Sequence, residues 1–300
     1  MNNTLIESVK CVLLSERNIV WDGGAWTGKT WNNGTWKDGT WHDGLWKNGT
    51  WERGFWLGGM WEKGKWMAGD WVNGTWINGM WQTGLWKTGL WKNGTWKDGI
   101  WESGIWEDGH WIKGTWKNGT WQNGTWQNGT WKRGTWDNGV WYSGIWEDGN
   151  WLDGKWKKGE WQDGLWKDGL WELGEWLGGV WEKGTRLGGT WHNGVWKGGT
   201  WENGTWLNGE WKGGIWKNGT WERGTWFEGR WDKGTWEGGT WKDGTWLSGT
   251  WRNGTWERGT WKFGSWKGGT WRGGLIYSKR LRKAIYSAVN PREFYASGHG

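Results

Sequence analysis

The chain has 300 residues, with 50 Trp and 62 Gly beside four Phe, four Tyr and one Pro, and a formal net charge of +7. So many indoles exclude a disordered chain, which lacks apolar surface to bury, and the single Cys11 excludes an internal disulfide framework or a cysteine metal cluster. No apolar run approaches the length of a membrane span.

The first element is residues 1–20, where two Glu balance one Lys and one Arg. There is no basic start followed by a long apolar run, and no small-residue cleavage site. No secretory signal is read, and the expected setting is the cytoplasm or a virion. Thr4 and Glu7 form a capping box. With Ile6, Val9 and Leu13 on one face, this predicts a short helix within 4–15, with a short strand as the alternative. Either would cover the open edge of the segment that follows.

Residues 21–275 are one five-residue repeat, Trp-x-x-Gly-x, without an insertion or deletion. It has 51 slots for Trp, and Arg186 is the one slot that Trp does not fill. Gly holds the fourth position in 50 of the 51 pentads, Lys29 being the exception. Thr takes the fifth position in 24, while the second carries 17 Lys/Arg and 14 Asp/Glu. A period of five matches neither a helix face nor a long strand alternation. It suits a short extended piece followed by a tight turn, where Asn-Gly and Asp-Gly supply left-handed backbone. Gly and Trp, two apart, are read as the inward set; Thr, charges and amides face out. The reverse would bury tens of charges. The buried indole N–H groups need acceptors, and backbone carbonyls near the corners are the expected ones.

The number of pentads per coil is read from the variable positions. Leu187, Leu207, Phe227 and Leu247 recur twenty apart, as do Met60, Met80 and Ile100. Lys155 with Glu175 and Glu210 with Arg230 oppose charges at the same step, and a period of fifteen explains none of these columns. The prediction is an all-β solenoid with four pentads (20 residues) per coil, square in section, about 12–13 coils, with Trp ladders inside and short terminal caps. On that coil Leu187, Leu207, Phe227 and Leu247 form an exposed apolar strip, a candidate contact for a protein partner or for self-association. Arg186 is read as a tolerated defect that stacks on Trp166 or Trp206 or turns outward, and Lys29 as an end effect.

The frame resembles the pentapeptide-repeat family, whose members order a small residue, a polar residue, a large apolar centre and two polar positions. Gly34-Thr35-Trp36-Lys37-Asp38 and Gly94-Thr95-Trp96-Lys97-Asp98 follow that order, and the repeat covers about 85% of the chain. Trp replaces the usual Leu or Phe, and Gly the usual Ala. The resemblance implies a right-handed quadrilateral β-helix. In composition the Trp-Gly version also resembles repeat proteins of large tailed bacteriophages.

Residues 276–300 form the last element. Lys279, Arg280, Arg282, Lys283 and Arg292 against Glu293 give this tail +4, leaving +3 for the repeat. A nucleic-acid groove along the body is not supported, since such grooves need clustered cations. Nucleic acid is a partner only through the tail. Ser278 is expected to start a helix to Val289, stopped by Asn290-Pro291, with Leu281, Ile285 and Ala288 on the last coil and Lys279, Arg280, Arg282 and Lys283 outside.

No catalytic constellation stands out. His42, His110, His192 and His299 lack ligand spacing, and no cofactor, metal or membrane partner is read. The ten Asn-Gly-Thr triplets are by-products of the repeat. The expected function is a non-enzymatic structural or protein-interaction element, possible in a phage virion or as an accessory component. The alternatives are a DNA-mimic modulator of a DNA-handling enzyme, which some pentapeptide-repeat proteins are, or a surface binder of carbohydrate or ice. Mimicry needs a strongly acidic surface, and the body is near neutral.

Overall fold

In a computed structural model the described residues are 11–14, 18–27 and 30–299. The chain divides into two units, residues 1–149 and 150–300, and the repeat forms an all-β solenoid within each. Nearly every pentad contributes a two-residue strand made of its Trp and the residue before it, such as Asp70–Trp71, Thr75–Trp76 and Met80–Trp81.

The coil closes after three pentads, not four. Trp71 pairs in parallel with Trp86, Trp76 with Trp91 and Trp81 with Trp96, each fifteen residues on. The second unit keeps the same register, as in Trp191 with Trp206. The section is therefore triangular, and 51 pentads taken three at a time make 17 coils rather than about 12–13. Two ladder bonds per pentad join the coils: Lys87 N–H donates to the Trp71 carbonyl at 2.7 Å, and Leu85 N–H to the Gly69 carbonyl at 3.0 Å.

The glycine is not an inward strand residue beside Trp but the corner itself, with φ near +120°, as at Gly69 and Gly84. Asp or Asn before it fixes the turn: the Gly39 N–H donates to Asp38 Oδ1 at 2.7 Å. A corner in this region of backbone space is one that glycine adopts freely and an L-residue rarely does. The next coil presses on the same corner, since a Cβ on Gly79 would lie 2.5 Å from the Gly64 carbonyl oxygen.

Three indoles fill each layer. Trp66 meets Trp71 edge to face at 6.0 Å and 72°, and Trp71 meets Trp76 at 6.0 Å and 73°. Along the axis Trp66 stacks on Trp81 at 4.7 Å and 5°. Every Trp from Trp36 to Trp261 is fully buried. The acceptor expected for the indole N–H is found near the C-terminal end, where Trp246 Nε1 donates to the Phe263 carbonyl and Trp271 Nε1 to the Ser287 carbonyl, both at 3.0 Å. In regular coils, as at Trp71, Trp76 and Trp81, Nε1 is buried without a hydrogen-bonded acceptor.

Both ends depart from the predicted helices. At the N-terminus Cys11–Leu14 is a strand antiparallel to Asn18–Trp26, which pairs in turn with Gly34–Trp41. The strand alternative holds for 11–14; the Thr4–Glu7 capping box, Ile6 and Val9 lie outside the described residues, as does Lys29. At the C-terminus Gly274–Ser278 and Lys283–Ser287 form an antiparallel hairpin in place of the helix from Ser278 to Val289. The reason is the free edge of the last coil. Gly274–Ser278 adds to Thr260–Trp261, and Ile276, fully buried, takes the place below Trp261 that a Trp would hold. Leu281 and Ala288 are exposed and do not cover the coil.

Asn290-Pro291 starts a helix rather than stopping one. Asn290 caps Pro291–Phe294 by accepting from the Glu293 N–H at 3.1 Å, with Pro at the first helical position. Pro291 and Phe294 are buried. The Tyr295 hydroxyl reaches the Lys262 and Tyr277 carbonyl oxygens at 2.8 and 3.1 Å, and burial raises its pKa.

Gly79→Ala should destabilise the first unit by about 1–3 kcal/mol through backbone strain and collision with the coil below. Gly58→Ala, where a Cβ would meet only the His42 carbonyl at 3.4 Å and φ is not positive, should cost far less. Urea unfolding of the two variants beside the wild type checks the difference.

Candidate interaction surfaces

The outer surface is built from the second, third and fifth positions, and the fifteen-residue step decides which of them meet. Leu187, Leu207, Phe227 and Leu247 do not form a strip. Twenty residues are one coil plus one side, so consecutive members stand on different sides of the triangle; Leu187 and Leu247 share a side four coils apart. Leu187 is 42% exposed, whereas Leu207, Phe227 and Leu247 are part-covered. Phe227 is covered by cations: Lys212 Nζ lies 3.7 Å and Lys242 Nζ 4.5 Å from its ring centre. Apolar neighbours that do share a side include Leu85 with Ile100, Leu90 with Ile105, and Leu165 with Val180 and Val195. A fifteen-residue alignment of the sequence finds these.

The charges follow the same step. Arg53 pairs with Asp38, Lys113 with Asp98, Lys117 with Glu102, Lys197 with Glu182 and Lys217 with Glu202, at 2.8–3.1 Å. Lys183 and Asp168 pair at 2.9 Å. Against a larger upward push from burial, hydrogen bonds from Lys183 and the Gly169 N–H leave the Asp168 pKa lowered; Lys183 is raised, chiefly by its hydrogen bond to Asp168. The pairs expected at twenty are replaced: Lys155 meets Glu172 at 2.6 Å, Glu210 meets Lys212 at 2.8 Å, and Arg230 meets Asp232. Such exposed pairs add little stability, but they leave the sides without a large field of one sign.

Arg186 points inward and is fully buried. Its guanidinium lies 4.9 Å from the Trp171 ring centre and 4.8 Å from that of Trp201, taking the indole's place in the stack; these, not Trp166 and Trp206, are its neighbours. Nε, Nη1 and Nη2 have no hydrogen-bond acceptor among the described residues. Desolvation pulls its pKa down to about 9. The cation is held by two aromatic faces, an interaction worth about 2 kcal/mol or more when desolvated.

At the C-terminal end Lys279, Arg280, Arg282 and Lys283 lie exposed around the hairpin turn. Arg282 has φ +53°, a left-handed value that no other non-glycine residue takes among those described. Leu281 is 50% and Tyr286 68% exposed beside them. The cations predicted for a helix face are thus brought together on a turn. Among the described residues no three His, Cys, Asp or Glu side chains are placed to hold a metal, and no helix is long and apolar enough to cross a membrane.

No family model matches the chain, and no curated protein matches it. Among solved structures, a provisionally assigned acetyltransferase from Desulfovibrio desulfuricans aligns over 63% of this chain and 67% of its own at 4% identity and a TM-score of 0.11. At that TM-score the likeness carries no argument.

Arg186→Trp should stabilise the second unit by about 1–4 kcal/mol at neutral pH, since a buried unpaired charge gives way to an indole. The folded pKa, about 9, lies well below that of a guanidinium in the unfolded chain. Between those values the unfolded chain binds more protons, so wild-type stability rises with pH there. The advantage of the variant should therefore be full below pH 9 and shrink above it, as thermal melts across pH will show.

Proposed function

We propose that the chain is a non-enzymatic structural or protein-interaction element that meets a protein partner through its C-terminal cap. The observation that carries this reading is a cluster of four exposed cations around one turn. Along the sides, cations such as Lys117 and Lys197 sit against acids one coil away. On the hairpin Lys279, Arg280, Arg282 and Lys283 are exposed and have no ion pair among the described residues. Because indoles fill the coil interior, binding has only the outer sides and the ends to use.

The five-residue period supports kinship with the pentapeptide-repeat family, of which this chain would be a three-sided Trp-Gly variant. A virion or accessory component of a tailed bacteriophage is the setting that this composition suggests. Mimicry of DNA has weaker support, because it asks for an acidic surface of one sign and these sides alternate in charge.

The test is affinity capture from the source cell, after nuclease treatment, with the wild type and with the variant Lys279→Glu, Arg280→Glu, Arg282→Glu, Lys283→Glu. The wild type should retain one protein in stoichiometric amount and the variant should lose it, both having the same β circular dichroism. Equal recovery on both, or a partner that disappears on nuclease treatment alone, sinks the reading.

A further inference from the structure

Fourteen corners of the repeat read Asn-Gly and nine read Asp-Gly. In all nine Asp corners the carboxylate Oδ1 accepts the N–H of the following glycine at 2.6–2.8 Å. Four Asn corners hold the same bond at 2.7–2.8 Å through the amide oxygen: Asn73, Asn78, Asn93 and Asn138. All four Asn are exposed. An amide and a carboxylate therefore serve the corner alike. The same contact brings the glycine nitrogen to the side-chain carbonyl, the group it must attack to close a five-membered ring. Proximity of this kind accelerates ring closure, and glycine offers no side chain to obstruct it.

We propose that Asn73, Asn78, Asn93 and Asn138 are sites of spontaneous deamidation in the folded protein, and that the corner retains the product as ordinary aspartate. Hydroxide takes the glycine N–H proton, and the nitrogen then bonds to the Asn Cγ. The side-chain nitrogen leaves as ammonia, giving a succinimide. Water then adds to one of the two ring carbonyls. Addition at Cγ breaks the new N–Cγ bond and restores the main chain with Asp. Addition at the main-chain carbonyl breaks the original peptide bond and leaves isoaspartate, whose main chain runs through an added methylene. One water enters and one ammonia leaves, with no change of oxidation state.

The coil selects between the two openings. The glycines that follow, Gly74, Gly79, Gly94 and Gly139, lie so close to the coil before them that a Cβ would stand 2.4–2.5 Å from its carbonyl oxygen. A longer main chain cannot be taken up there without breaking ladder bonds such as Thr75 N–H to the Gly59 carbonyl, 2.9 Å. Aspartate needs no such shift, because Asp38, Asp43, Asp98 and Asp108 already hold the geometry in the same unit. Conversion of the four sites lowers the formal net charge from +7 to +3, all of it on the repeat and none on the cationic hairpin.

The experiment ages the full-length chain in mildly alkaline buffer, folded and in denaturant, and follows both by isoelectric focusing and by peptide mapping that separates Asp from isoaspartate. The folded chain should acidify at the four corners, with Asp exceeding isoaspartate, while the denatured chain gives mostly isoaspartate. The variant Asn73→Asp, Asn78→Asp, Asn93→Asp, Asn138→Asp should melt within a degree or two of the wild type, about what near-neutral surface substitutions give. Four asparagines that persist in the folded chain while they convert in denaturant would overturn the proposal. So would isoaspartate dominating in the folded chain, or a clearly lower melting temperature for the Asp variant.

Discussion

Stacking of one indole on another sets the terms for the rest of this structure. Parallel strands repeat at about 4.8 Å, and indole centres within a column lie 4.7 or 4.8 Å apart over most of each unit, as in Trp81 on Trp96 and Trp226 on Trp241. The hydrogen-bond ladder and the aromatic column thus share one period, and neither strains to follow the other. The edge-to-face contact between successive sides links the three columns of a layer. An inserted residue would move every later Trp off its column, which accounts physically for 255 residues of repeat without a change of length. The same contact has a cost. Indole N–H groups such as that of Trp71 are buried without an acceptor, so the stack must offset the desolvation of its own polar atoms.

The two departures from Trp show what a column accepts. Ile276 ends a column, and the hairpin then covers the edge that would otherwise remain open. Arg186 lies within a column and keeps its spacing, with aromatic faces 4.9 and 4.8 Å on either side. A planar guanidinium can occupy an indole's place because it too is flat and meets a ring face favourably. Its ladder bonds are intact: the Arg186 carbonyl still accepts from the Glu202 N–H at 2.8 Å. The position accepts a change of chemistry because both the stack and the ladder continue through it.

The fold class, the inward Trp, the turn chemistry and the capped ends were legible in the sequence. The coil size was not read correctly, although the signal was present. Apolar residues on the outside are under weak constraint, and columns such as Leu187, Leu207, Phe227 and Leu247 can arise at a period the backbone does not use. Charges one coil apart are under a firmer one, because like charges would repel. Asp22 with Lys37, Glu102 with Lys117, and Glu202 with Lys217 carry the fifteen-residue step in the sequence itself. The terminal helices failed for a different reason. An Asn-Pro pair reports local preference, while an unpaired sheet edge acts across the fold and draws Cys11–Leu14 and Gly274–Ser278 into strands. Grouping the four tail cations needed only composition; placing them around a turn needed the hairpin.

A core made of one repeated contact leaves little of the sequence free. Trp and Gly are fixed by stacking and by the corner, so diversity is confined to three outward positions, where some neighbouring coils pair opposite charges, as Lys117 does with Glu102. On the hairpin Lys279, Arg280, Arg282 and Lys283 are exposed together and have no ion pair among the described residues. Its turn also holds Arg282 in a left-handed conformation that glycine would adopt at lower cost. A cation there adds to the charge of Lys279, Arg280 and Lys283 around the same turn, where glycine would add none.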